Sequence, residues 1–218
     1  MRETYGYIFP DPTASDPTSE LQLAADRAGE IGGILCLRGT WHLSDTVYLH
    51  AETSVRLEDA ALFSDSGAPI FKNSVVRTVR ERTKLGCQSG ISLYGKDSTL
   101  YGAIELFNVR NFTIDGLTFS GAGAKLTLMY ASGGEVRHLS FSGADTAIEC
   151  KICTRNCFFT DIHAEGGETL FLFDSERLPA ARRVNYAGPD VKNIIVRDAS
   201  GGEIRTAGDY GSDLVIAD

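Results

Sequence analysis

The chain has 218 residues, 43% of them hydrophobic and 23% charged, with a formal net charge of −8 and an isoelectric point near 5.0. That length suits a single domain over residues 1–218, and the acidity disfavours general binding to nucleic acid or to an anionic membrane surface. No run of about 18 apolar residues offers a membrane-spanning helix.

Met1-Arg2-Glu3-Thr4 leads into Tyr, Gly, Pro and Asp rather than into an apolar leader, so the chain as written reads as cytoplasmic, and as secreted only where a leader has been removed. Residues 11–18, Asp-Pro-Thr-Ala-Ser-Asp-Pro-Thr, are rich in turn formers. Thr18 or Ser19 can cap a helix running to about Ala28, with Leu21, Ala24, Ala25 and Ala28 as its apolar stripe and Gly29, Gly32 and Gly33 ending it. Residues 1–32 would thus form an N-terminal strand and a helix that covers the exposed apolar end of the strands beyond residue 33.

From residue 33 the chain reads as short alternating segments. They are Gly33–Leu37, Trp41–Leu43, Thr46–Leu49, Ser54–Leu57, Ala61–Phe63 and Pro69–Phe71. Farther on, one phrase recurs: an aliphatic residue or Thr, a base, Asn or His, then apolar, any, apolar. It starts at Val109, Val136, Thr154 and Val191, at intervals of 27, 18 and 37 residues, the first two of which make two units of about 22. Leu117-Thr118-Phe119-Ser120-Gly121 is echoed 22 residues later by Leu139-Ser140-Phe141-Ser142-Gly143.

Within each segment Phe112 and Ile114, or Leu139 and Phe141, face one way while Thr113 or Ser140 faces the other. Units of this length and alternation suit a parallel β-solenoid, each coil stacked on the last. Asn111, Asn156 and Asn193 would ladder at one corner, with His138 in the same position of the phrase.

Two stretches break the repeat, near residues 72–90 and 174–189. The first carries Lys72, Arg77, Arg80, Arg82 and Lys84, the second Arg177, Arg182 and Arg183, so each is a basic insert on an acidic protein, either a mouth for an anionic glycan or a solvated charged loop. Cys150, Cys153 and Cys157 have a metal-like spacing, but alternation buries the first and last as small apolar residues, so no metal and no cofactor is expected. The final Leu214-Val215-Ile216 offers an apolar coil end, which a folded-back loop or a second copy of the chain would cover, giving a homo-oligomer through the C-terminal end.

The helix, the Gly-Gly, the strand, Arg38-Gly39-Thr40-Trp41 and the phrase Phe107-Asn108-Val109-Arg110-Asn111-Phe112-Thr113-Ile114-Asp115-Gly116-Leu117 together resemble the pectin lyase-like right-handed parallel β-helices, and among them the polygalacturonase-type glycoside hydrolases. The resemblance covers most of residues 19–200. It implies an all-β, single-stranded right-handed parallel β-helix with an N-terminal capping helix, acting on a polysaccharide or a uronate-containing oligosaccharide.

Asp145 corresponds to the first aspartate of that family's cleft, with Gly143-Ala144 in place of Asn-Thr. Glu168 falls near the paired aspartates, no Gly-His-Gly is present, and Arg205 corresponds loosely to an arginine that holds the substrate carboxylate.

The residues give a candidate site of their own. Laying 143–151 over 166–174 places Asp145 and Glu168 one coil apart, Lys151 beside Asp174, and Glu203 in the carboxylate column one coil on. Carboxylates one or two coils apart are separated by about 5–10 Å, the span that glycosidase acid and base pairs use. Asp145 and Glu168 are therefore the expected catalytic pair. Lys151, Arg155, His163, Asp174, Arg182, Arg183 and Arg205 are the expected substrate-binding residues. His42 and His50 lie early in the chain, away from that column. A non-catalytic glycan-binding or self-assembling solenoid, and a polysaccharide lyase, are the competing expectations.

Overall fold

A computed structural model describes residues 1–74, 87–174, 191–207 and 214–217. The described residues form one helix, α1 (Pro17–Ile31), and short strands in a 12-stranded sheet, a seven-stranded sheet and a two-stranded pair. Every strand pair is parallel except the N-terminal one, Arg2–Thr4 against Tyr7–Phe9. Partners lie a coil apart in sequence, so the sheets stack as a β-solenoid.

α1 is capped two or three residues before the expected Thr18 or Ser19. Its cap is Asp16, whose Oδ1 accepts from the Ser19 backbone N–H at 3.0 Å, with Pro17 as its first residue. It continues to Ile31, and Gly32 ends it in the left-handed conformation at φ 62°. The stripe itself is as expected: Leu21, Ala24, Ala25 and Ala28 are fully buried. The helix packs on the first coil, against Tyr7–Phe9, Ile34–Leu43 and Val47–Leu49. No helix among the described residues is long and apolar enough to cross a membrane.

Two of the expected strands, Gly33–Leu37 and Trp41–Leu43, are one bent strand, Ile34–Leu43, and likewise Ser54–Ser64 is continuous. The bend gives each coil two walls from the large sheet. It lies at a column of residues with positive φ, Asp59, Asp97, Gly116, His138, Asp161 and Asp198, because a single left-handed residue redirects an extended chain without ending its pairing. The seven-stranded sheet forms the third wall.

Buried residues lie in vertical rows, since a parallel register sets each inward side chain over the one below. On the first wall, Leu35, Val55, Leu93, Ile114, Val136, Phe159 and Val196 form such a row, each no more than 1% exposed. On the second wall, Trp41, Leu62, Leu100, Phe119 and Phe141 do the same, and the last two rings stack at 4.7 Å. Steps of 22 and 23 residues along the first row, from Ile114 to Val136 to Phe159, confirm the expected coil length.

The recurring phrase misleads at one position. Val136-Arg137-His138 pairs with Ile114-Asp115-Gly116 and Phe159-Thr160-Asp161, not with Val109-Arg110-Asn111. His138 therefore belongs to the bend between the first two walls, whereas Asn111, Asn156 and Asn193 occupy the other corner, at φ 50°, 54° and 56°. There one rung of the expected ladder forms, Asn193 Nδ2 donating to Asn156 Oδ1 at 2.8 Å, while Gly133 occupies the intervening coil between Asn111 and Asn156. His138 instead places Nδ1 2.6 Å from Asp115 Oδ1, and Arg137 Nε donates to the other oxygen of that carboxylate at 3.0 Å.

The C-terminal strand Leu214–Ala217 extends the first wall by pairing with Lys192–Ser200, and Val215 and Ile216 are about half exposed. Most of the two expected inserts, including Arg77, Arg80, Arg82, Lys84, Arg177, Arg182 and Arg183, lies outside the described residues.

Candidate functional site on the third wall

The seven-stranded sheet turns its polar side chains outward. Strands Ile104–Phe107, Leu126–Met129, Thr146–Lys151 and Thr169–Asp174 bury alternate residues against the core and present the rest. Register then sets Tyr48, Lys72, Glu105, Thr127, Glu149, Leu172 and Arg205 in one outward column. Phe107, Met129, Lys151, Asp174 and Ala207 form the column beside it.

Glu149 is the charged member that is sheltered: it is only 8% exposed although it points away from the core, as is its neighbour Thr127 at 7%. Lys151 Nζ lies 2.8 Å from its Oε1, Lys125 Nζ 3.3 Å from its Oε2, and the Thr127 hydroxyl donates to Oε2 at 3.4 Å. Burial pushes the carboxyl pKa up, and Lys151 with Lys125 more than offsets that, so the group sits below the ordinary glutamate value. Two coils below, Glu105 pairs with Lys72 at 2.8 Å. Two coil steps separate the Glu105 and Glu149 backbones by about 10 Å.

Asp145 and Glu168 precede the paired residues Thr146 and Thr169, so the expected one-coil spacing holds. Both are exposed at the strand entrances, and the nearest charged group recorded for Glu168 is Arg205 Nη2 at 3.7 Å. Lys151 and Asp174 are in register as expected. Glu203 is not in the carboxylate column: it pairs with Thr169, one place later, across a register shift between Thr169 and Phe171. Arg205, paired with Glu203 at 3.0 Å, sits on the wall across Leu172 from Glu149.

Two expected members lie elsewhere. Arg155 opens the strand Arg155–Glu165 at the asparagine corner. His163 is on the outer face of the second wall, between Asp161 Oδ1 at 2.6 Å and Ser200 Oγ at 2.7 Å. Alternation gave its outward direction, and the bend at Asp161 took it to a different wall. Arg182 and Arg183 lie outside the described residues.

Glu105, Lys125, Thr127 and Glu149 were missed as a group in the sequence, although a signal existed. Glu105, Thr127 and Glu149 succeed one another at 22 residues, the coil length, and alternation from Ile148 sends Glu149 outward.

Cys150 and Cys157 are buried, as their alternation implies. Burial raises the Cys150 thiol pKa well above its usual value and that of Cys157 to about 11, so neither is a ready thiolate. Among the described residues no group of three or more His, Cys, Asp or Glu side chains is placed to hold a metal ion.

No protein-family model and no curated protein sequence matches this chain. Solved structures do match in shape. A putative glycosyl hydrolase from Parabacteroides merdae superposes with a TM-score of 0.61 at 15% identity, over 78% of this chain and 96% of that one. An iota-carrageenase from A. fortis gives 0.65 at 18% identity over 91% of this chain and 48% of its own, and an iota-carrageenase in complex with iota-carrageenan fragments gives 0.66 at 16% over 88% and 47%. A tailspike of E. coli bacteriophage HK620 bound to a pentasaccharide gives 0.55 at 14% over 95% and 50%.

This chain shares their fold. It spans about half the length of the carrageenases and the tailspike. The polygalacturonase family is not among these structures, so the broader resemblance, to β-helix proteins, is the part that holds.

Proposed function

We propose that this protein is a right-handed parallel β-helix that acts on a polysaccharide laid along the third wall, and that it is a glycoside hydrolase. The handedness is that of nearly all crossovers between parallel strands. The observation that carries the reading is Glu149, a sheltered carboxylate kept ionised by two lysines at the centre of an outward face. Sheltered clusters of titratable groups with a shifted pKa mark candidate sites. The carbohydrate class has support from the fold's company: two carrageenases, a putative glycosyl hydrolase and a tailspike that holds a pentasaccharide.

In this reading Glu149, ionised, is the base that activates water, and Glu105, two coils away, is the acid. Their backbone spacing of about 10 Å is just above the carboxyl separation used for inversion, about 6.5–9.5 Å. Lys125 and Lys151 orient Glu149 and attract an anionic chain, with Phe107 and Met129 as apolar floor. Asp145 and Glu168, at the entrances of the same strands, are the alternative carboxylate pair, with the closer spacing of retention. Lys151, Asp174 and Arg205 line the path, Arg155, Arg182 and Arg183 remain proposed substrate contacts from sequence alone, and His163, on the second wall, would meet only a chain that wraps past the third.

A second reading, a glycan-binding solenoid without turnover, is favoured by one observation. Glu105 and Glu149 each have a lysine at 2.8 Å, so both carboxylates are already engaged in ion pairs on the wall, as a surface that only binds would also have them. Incubation with polygalacturonate and a glycan panel separates the readings. Reducing ends report hydrolysis, absorbance of an unsaturated product reports elimination, and binding with neither supports the second reading. Turnover abolished by Glu149→Gln and kept by Asp145→Asn with Glu168→Gln supports the assignment, and the reverse pattern moves the chemistry to the strand entrances.

A further inference from the structure

A cavity of about 460 Å³ lies on a different face, over the outer side of the first wall between strands Ser54–Ser64 and Ser92–Lys96. That volume falls within the range of about 300–1,000 Å³ for small-molecule sites. Its polar lining comes from Arg56, Glu58, Tyr94 and Lys96, and its floor includes Leu57 and Gly95.

The charge there is unlike that of the whole protein. Glu58 is turned toward Arg38, whose Nε donates to its Oε2 at 3.2 Å, and that guanidinium holds the carboxyl below its ordinary range. Arg56 and Lys96 act on Glu58 only at longer range, and neither lies within ion-pair distance of a carboxylate among the described residues. The next acid up the Tyr94 column, Asp115, is engaged by Arg137 and His138 at 3.0 and 2.6 Å. Two cations thus line one open cavity on a chain of net charge −8, with one carboxylate, Glu58, whose direct partner is Arg38.

The lining is also preset. The Arg56 guanidinium carbon sits 5.8 Å from the centre of the Tyr7 ring, a cation–π contact at the edge of the cavity. Gly95 lets the floor pack close on the next coil, because a Cβ there would stand 2.5 Å from the Gly116 carbonyl oxygen and from Leu117 Cδ2. The Tyr94 ring, 38% exposed, supplies an apolar surface and a hydroxyl at the rim.

We infer that this cavity is a second, non-catalytic carbohydrate site, taking an acidic pyranose whose carboxylate is held between Arg56 and Lys96 and whose C–H face rests on Tyr94. The anion follows from the two cations lining the cavity, and the choice of a sugar to carry it rests on the glycan reading of the third wall. No bond is made or broken. The site would anchor one acidic unit of a chain while another part occupies the third wall.

The test is a titration of the ¹⁵N-labelled protein with a galacturonate trisaccharide, following the Gly95 amide, with a neutral galactose trisaccharide and sodium sulfate in parallel. The acidic sugar should give saturable shifts at Gly95, and Arg56→Gln and Lys96→Gln should each weaken binding about tenfold, as loss of a charge-assisted contact does. Tyr94→Ala should weaken it with the charges intact. Equal binding of the neutral trisaccharide, equal binding of sulfate, no shift at Gly95, or full affinity in the Arg56→Gln, Lys96→Gln double variant would each overturn the assignment. Unchanged melting temperatures establish that the variants are folded. Glu149→Gln should leave this titration unaltered, so failure here and failure of the third-wall reading are seen separately.

Discussion

Lys151 Nζ lies 2.8 Å from Glu149 Oε1, two residues along one strand and on the same outward face. The pair exists because alternation returns the chain to that face at every second residue, while register brings Lys125 and Thr127 to the other oxygen from the coil below.

Lys151→Met should leave a sheltered carboxylate with one cation fewer, and cost about 1–3 kcal/mol of unfolding free energy at pH 7. The dependence on pH comes from the direction of the Glu149 shift. Its folded pKa is lowered, so its contribution is fully present above the unfolded glutamate value of about 4.3 and is lost as pH falls through the folded value. Denaturant melts of parent and Glu149→Gln should differ at pH 7 and converge as pH falls below about 4. A constant difference across that window would remove the charge from the explanation.

The asparagine corner makes a prediction about kind as well as size. Asn193 holds φ 56° and donates to Asn156 at 2.8 Å, so Ala loses both the tolerance for that conformation and the bond, whereas Gly loses only the bond. Asn193→Ala should cost about 1–2 kcal/mol and Asn193→Gly less. Thermal melts of the two variants are sufficient, and equal losses would contradict the conformational part.

Close packing at the glycines gives a third. A Cβ on Gly134 would fall 2.0 Å from Phe112 Cζ, inside a buried ring, whereas one on Gly123 meets nothing within 4 Å. Gly134→Ala should destabilise by about 1–3 kcal/mol through overpacking, and Gly123→Ala should be neutral or slightly stabilising. Chemical denaturation of both tests whether the coils stack as tightly as their register indicates.

The thiols form an order of reactivity. Cys87 is exposed, while Cys150 and Cys157 are buried with raised pKa values, about 11 for the latter. A disulfide-exchange reagent at pH 8 should modify Cys87 first, and reach Cys150 and Cys157 only on a timescale set by unfolding. Mass mapping of the labelled peptides reads the order directly.

How much was legible in the sequence depends on whether a feature is local. Alternation at Phe112, Ile114, Leu139 and Phe141 gave strand faces, and all four are buried. The 22-residue echo of Leu117–Gly121 in Leu139–Gly143 gave the coil, and Thr118 does pair with Ser140. The stripe on α1 and the left-handed asparagines were equally readable, because helix period and turn chemistry involve only near neighbours.

Tertiary structure decided which residues meet. The phrase at Val136 matches that at Val109 in letters, yet pairs with Ile114, since pairing is set by which residues fill the coil rather than by similarity of spelling. One bend at Asp161 sends His163 to the second wall, and one register shift near Thr169 moves Glu203 out of the column. Glu149 gained its two lysines in the same way, one from its own strand and one from the coil below. The sequence by itself determined that the chain would wind into stacked coils with one face in and one face out; only the folded register, a balance of side-chain volumes across whole coils, decided which charges share a wall.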